Sequence, residues 1–238
     1  MGETTGFMGA FLASPNAANW LLIIVVAVIG MVVQWRLQAV FRKYSRVPLG
    51  VTGRQVAERM LRESGITDVR VISTPGRLTD HFDPRNKTVN LSEAVYGSAS
   101  IAAAAVAAHE CGHAVQHAMG YAPLKMRSAL VPLISATSRW VMWVILAGMI
   151  MINTFPQLIW VGIAMLGCAL LFSLVTLPVE FNASKRAMEW LGGSGIVHGE
   201  EYAGARTTLS WAASTYVVAA LSSLVTIIYY IGIARGRD

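Results

Sequence analysis

The sequence predicts a mostly α, polytopic membrane protein with four transmembrane helices and a small α+β cytoplasmic domain. Three observations carry that expectation. Hydrophobic residues make up 55% of the chain and charged residues 13%, about half the charged share of an ordinary soluble domain, and the mean hydropathy is +0.53. Four stretches approach the length of about 20 apolar residues needed to cross a hydrocarbon core. Between the first two stretches lies a segment rich in charge, turn residues and mixed periodicity.

The first span, Ala17 to Trp35, is nearly unbroken. A secretory signal would open with basic residues, whereas the first here is Arg36, so the span reads as a retained anchor. Arg36, Arg42, Lys43, Arg46 and Arg54 follow it and none precedes it. The positive-inside rule then places the N-terminus outside and residues 36–127 in the cytoplasm. That bias supplies most of the net charge of +6. The basic residues are scattered, without an arginine-rich or aromatic-interleaved stripe, which argues against a nucleic-acid partner.

Within the cytoplasmic segment, Thr52 to Glu63 has helical spacing, with Gly65 as a stop. "DVRVIS", 68–73, alternates like a strand, and "LTDHFDPRNKTVNLS", 78–92, reads as two short strands around the turn Asp83-Pro84-Arg85-Asn86. The second of these strands, 87–92, could offer an open edge to an extended peptide. Ser100 to Met119 is rich in alanine and predicts one helix. Burying Glu110 and three histidines in lipid would be costly, so this helix belongs to the cytoplasmic domain; the alternative is an intramembrane helix.

The second span, Ala129 to Ile152, contains Arg139, leaving Trp140 to Phe155 as a clean run of about 24 Å at about 1.5 Å per residue. Arg139 is expected near an interface, its stem snorkelling to the headgroups; a re-entrant hairpin is the alternative. Gln157 to Leu177 and Thr207 to Ala234 carry no charge and form the third and fourth spans. Glycine-rich "LGGSGIVHGEE", 191–201, reads as a connector. The expected division is an anchor, 1–35; the cytoplasmic domain, 36–127; a transmembrane hairpin, 128–177; a cytoplasmic segment, 178–206; and a final span, 207–238. Cys111 and Cys168 do not make a disulfide framework.

The chemistry centres on "AAHECGHAVQ", 107–116. Residues four apart on a helix lie side by side, so His109 and His113 can grip one cation. Glu110 projects about 100° further round at 3.6 residues per turn, where it can take a proton from metal-activated water without being forced to bind the metal. Catalytic zinc takes three protein ligands and keeps a position open. His117 lies about 12 Å along the axis from His109 at 1.5 Å per residue, which suits a supporting or surface residue. Cys111 projects away from His109 and suits packing.

The next acidic residue or histidine downstream is Glu180, in "LPVEFNASKRA". If spans two and three form a hairpin, Glu180 emerges on the same side as the histidines, and Lys185 and Arg186 after it agree with the positive-inside rule. An ion pair of Glu180 with one of those two residues is the structural alternative. Glu189, His198, Glu200 and Glu201 downstream, and Asp80, His81, Asp83 and Glu93 upstream, remain further candidates, His81 foremost among the upstream ones.

"HECGH", "VEFNASKRA" and the hairpin "LTDHFDPRNKTVNLS" together resemble the bacterial membrane-bound neutral zinc metallopeptidases of the YugP type, and more distantly Glu180-Phe181-x-Ala183 is similar to the HtpX-type gluzincin peptidases. The resemblance spans most of the chain. It implies a zincin-like domain with His109, His113 and Glu180 on Zn2+ and Glu110 as the catalytic base. The HtpX-type pattern has an aspartate where this chain has Ser184, leaving a hydroxyl or another group to orient a zinc histidine. His81, Tyr96, Tyr121, Tyr202 and Arg206 are candidate donors to the tetrahedral intermediate.

The expected function is thus a zinc-dependent endopeptidase acting on peptide or membrane-protein substrates at the cytoplasmic face of a bacterial membrane. Two rivals stand beside it. One is a non-catalytic scaffold or assembly factor in which zinc is structural. The other is an intramembrane site-2-type protease, although the Leu-Asp-Gly element such proteases use is absent.

Overall fold

The computed structural model describes residues 17–76 and 78–236, and the chain is mostly α-helical around one small sheet. In order, the elements are α1 (Ala17–Tyr44), α2 (Gly53–Glu63), β1 (Arg70–Thr74), β2 (His81–Asp83), β3 (Thr88–Ser92), α3 (Glu93–Tyr96), α4 (Ile101–Ala118), α5 (Ala122–Ile150), α6 (Gln157–Gly193) and α7 (Gly199–Arg235). Four of them, α1, α5, α6 and α7, are long and apolar enough to cross a membrane. At 37 residues each, α6 and α7 run about 56 Å at 1.5 Å per residue, well beyond a hydrocarbon core of about 30 Å. Part of each helix must therefore lie outside the lipid.

The described residues divide into two compact units, one within 17–32, 129–174 and 216–236, the other within 33–128 and 175–215. In the first, Leu21, Ile24, Met31, Met142, Trp143 and Leu174 are exposed, an arrangement that water would penalise and lipid covers. The α5–α6 hairpin is tight. A Cβ on Gly148 would come 2.8 Å from the Ile159 backbone nitrogen, and one on Gly162 would come 2.6 Å from Ile145. α5 is a single helix of 29 residues containing Pro132, so the second span is continuous rather than re-entrant.

The second unit has a soluble-type core. Thr52 caps α2 with a reciprocal capping box to Gln55, and Gly65 follows with φ +73°, the left-handed conformation that glycine adopts without penalty. Val56, Ala57, Met60 and Leu61 of α2 belong to one buried cluster with Ala103, Ala104, Ala107, Ala108 and Cys111 of α4. The alanines keep that face of α4 slim. Ser100 caps α4 by accepting from the Ala103 N–H, and backbone bonds from Leu49 to Ala99 and from Ile101 to Val47 fix its start. Enclosed in this way, α4 is not one of the four membrane-length helices.

The sheet order is β1-β3-β2, with β1 parallel and β2 antiparallel to β3. The hairpin turns where the sequence places it: Asp83 accepts from the Arg85 and Asn86 N–H groups. Its second strand, however, is central. β3 is paired on both sides and buried throughout, so the expectation that 87–92 presents an open edge is corrected, and the edge strands are β1 and β2. The connector after α6 is also shorter than the glycine content suggests, because Leu191–Gly193 complete α6 and Gly199–Glu201 begin α7.

Within the second unit, α4 and α6 meet at backbone distance. A Cβ built on Gly112 would lie 2.6 Å from the Ala183 carbonyl oxygen and 3.1 Å from its carbonyl carbon. Only glycine fits there. Gly112→Ala is expected to force the two helices apart and destabilise the unit by about 1–3 kcal/mol, the usual cost of overpacking, seen as a lower melting temperature of the full-length protein in detergent. An unchanged melting temperature would show that α6 yields without cost.

Candidate metal centre

The close approach of α4 and α6 brings three ligand-bearing side chains together. On α4, His109 and His113 have ring centroids 4.8 Å apart and planes at 84°. Glu180 on α6 turns its Oε2 toward them, 3.2 Å from His109 Nε2 and 3.6 Å from His113 Nε2. One ligand atom from each residue lies within 4.8 Å of the others. The side chains are 15%, 9% and 3% exposed for His109, His113 and Glu180, so a cation here would meet little competing water.

The second atoms of these groups are held as well. Glu180 Oε1 lies 3.3 Å from Arg127 Nη1, His109 Nδ1 lies 3.1 Å from Ser184 Oγ, and His113 Nδ1 lies 3.0 Å from Gln116 Oε1. Ser184 follows Glu180 by one turn of α6 and shares its face, so the same helix that supplies the carboxylate supports His109. The alternative pairing of Glu180 with Lys185 or Arg186 does not form: Lys185 pairs with Glu189, and Arg186 donates to Asn182.

Burial disfavours the charged form of His113, yet the carboxylates of Glu180 and Glu110 and the Gln116 acceptor outweigh it and hold its pKa above the ordinary histidine value. Glu110 is 8% exposed. Its charge acts on His113, but among the described residues its carboxylate has no hydrogen-bond or salt-bridge partner.

The donor set fits zinc. Two imidazole Nε2 atoms and one carboxylate oxygen make the His2Glu combination of catalytic sites, which leaves a fourth position open, and each imidazole has a polar partner on its other nitrogen, as metal-binding histidines require. Cys111 takes no part. It is buried, donates weakly to the Ala57 carbonyl, and burial pushes its thiol pKa well up.

The other candidates named from the sequence fall elsewhere, and Glu200 lies with Glu201 in the first turn of α7. His117 is exposed at the end of α4, its ring 5.6 Å from that of Phe82. His81 is exposed at the start of β2, where Nδ1 donates to the Thr79 carbonyl. Asp80 accepts from Ser92, His198 Nε2 donates to the Gly195 carbonyl, and Glu201 accepts from the His198 N–H. Tyr121 donates to the Pro178 carbonyl, and Tyr96 lies under Arg54. Arg127 and Gln116 are the residues that sequence reasoning missed. A basic residue near the start of a long apolar helix reads as an interfacial anchor, and Gln116 had only one possible signal, its place three residues beyond His113 on the same helical face.

A family model described as "Putative neutral zinc metallopeptidase" matches residues 19–235 of the chain. The chain is also 41% identical over 208 residues to a protein of Bacillus subtilis (strain 168) called "Putative membrane protease YugP", an alignment covering 86% of this chain and 92% of that protein. No solved structure matches.

Elemental analysis of the purified chain checks the ligand set. Glu180→Ala is expected to lose most of the zinc, as is His109→Ala, whereas Cys111→Ala retains it. Full occupancy in Glu180→Ala would move the third ligand to another residue.

Proposed function

Because the chain belongs to the neutral zinc metallopeptidase family, we propose that it is a membrane-embedded endopeptidase whose site is built from His109, His113 and Glu180 as ligands and Glu110 as general base. The observation that carries this reading is the convergence of the three ligand atoms within 4.8 Å, next to a carboxylate left without a hydrogen-bond partner among the described residues. An acid set beside the ligands and left free to act on a bound water has a use in a catalytic site that a purely structural one would lack.

What zinc supplies when bound is Lewis acidity, which lowers the pKa of a coordinated water toward about 7 and polarises a carbonyl. The chain's own residues do the rest. Glu110 takes a proton from the attacking water and returns it to the leaving amine as the peptide C–N bond breaks. Ser184 and Gln116 hold the imidazoles with their Nε2 atoms toward the site. Arg127 holds the outer oxygen of Glu180 so that one oxygen faces the histidines, and with 30% of its side chain exposed it can also donate toward negative charge on the substrate. An extended peptide can lie along the free edge of β2, the strand that carries the exposed His81.

The site is proposed to face the cytoplasm. Two observations support this: residues 33–128 and 175–215 form one compact unit, as two segments on one side of a membrane would, and the basic residues after the first span favour the cytoplasmic side. Membrane-proximal or membrane-protein substrates follow, because the helix bearing Glu180 is itself the third membrane-length helix.

Glu110→Gln tests the reading. It is expected to keep its zinc and lose peptide cleavage by about 10²–10⁴-fold, the usual share of a general base. Undiminished turnover by the purified variant would reject the role of Glu110 and favour a scaffold with structural zinc.

A further inference from the structure

We propose that Gln116 is a positioning residue that fixes the tautomer of His113, through a hydrogen-bond chain of set direction running from Arg186 through Asn182. The inference rests on the metal-site reading above and adds to it the means by which one ligand is kept ready.

The direction follows from groups that can act in only one sense. Arg186 Nε can only donate, and it lies 2.8 Å from Asn182 Oδ1, which settles that the oxygen of that amide faces it. The same oxygen accepts from Gln116 Nε2 at 3.0 Å. The second hydrogen of that nitrogen goes to the Val179 carbonyl at 2.7 Å, and a carbonyl can only accept. Two acceptors thus pin the Gln116 nitrogen on the α6 side, and its oxygen is turned to His113 Nδ1 at 3.0 Å. An amide oxygen cannot donate, so Nδ1 must carry the proton. The neutral ring then has its lone pair on Nε2, the atom facing Glu180.

Gln116 is 0% exposed. No water can substitute for any of its three bonds, and flipping the amide would set donor against donor and acceptor against acceptor in a buried place, where an unsatisfied polar group is expensive. His109 is held differently. Its Nδ1 faces the Ser184 hydroxyl, which can donate or accept and so dictates no tautomer. Directional control therefore falls on His113. Because two bonds of Gln116 end on α6, the same amide that sets the ring also ties α4 to the helix carrying Glu180.

The test uses the full-length protein in detergent. Zinc affinity is read by chelator competition, and the Nδ1–H proton of His113 by NMR on 15N-histidine-labelled protein. Gln116→Met, close in shape but without the amide, is expected to weaken zinc binding by about 10–100-fold, the usual effect of losing an outer-layer partner, and to abolish the protected Nδ1–H signal. Asn182→Leu, at a less buried position, is expected to lower affinity to a smaller extent, while Asn182→Asp, which still accepts from both Gln116 and Arg186, stays near wild type. The Asn182 pair decides the matter if Gln116→Met does not fold. Wild-type affinity in both Gln116→Met and Asn182→Leu, or a His113 ring without a proton on Nδ1 in the wild type, would overturn the proposal. A wild type that binds no zinc would instead sink the peptidase reading, and the Nδ1–H signal of the metal-free protein would still report on the chain.

Discussion

A carboxylate with 3% of its side chain exposed is the constraint on which the second unit turns. Burying Glu180 without partners would cost several kcal/mol, and the fold answers with Arg127 on one oxygen and two imidazoles on the other. Those partners come from α4 and α5, so the three helices must meet at one point. Everything that lets them meet follows from that need: the slim alanine face of α4 against α2, the cap at Ser100, and the missing side chain at Gly112. Buried charge assembled at such cost is better explained by an ion it serves than by stability, since an apolar cluster would hold the helices at least as well.

The two ligand helices are coupled by repeats of one helical turn. Four residues separate His109 from His113 on α4, and four separate Glu180 from Ser184 on α6, so each helix presents a matched pair on one face. Gly112, between the two histidines, meets Ala183, just before Ser184, at backbone distance. Asn182 and Val179 then meet Gln116 one layer behind. A shift of either helix by a fraction of a turn would break several of these contacts together, which makes the arrangement a single cooperative unit.

Much of this was legible in the sequence, and the remainder was not for definable reasons. Apolar runs and their lengths located all four long helices, and alanine content with Ser100 located α4. The histidine spacing and the side-of-membrane argument led to Glu180. Strand pairing was only half readable: turn residues marked the β2–β3 hairpin, but nothing local in 68–73 says that β1 lies parallel on the far side of β3, because that pairing depends on tertiary packing. Arg127 and Gln116 escaped because a partner 53 or 63 residues away in sequence leaves no periodic trace. The close packing at Gly112 was not read from the sequence, because the backbone it meets, that of Ala183, belongs to a helix 71 residues further along the chain.

X-ray absorption at the zinc edge of the purified wild-type protein addresses the central claim most directly. One ion per chain is predicted, with two imidazoles at about 2.0–2.1 Å and carboxylate or water oxygens at about 2.0–2.2 Å. A spectrum showing sulfur ligation, three imidazoles, or no bound metal would contradict a centre built from His109, His113 and Glu180.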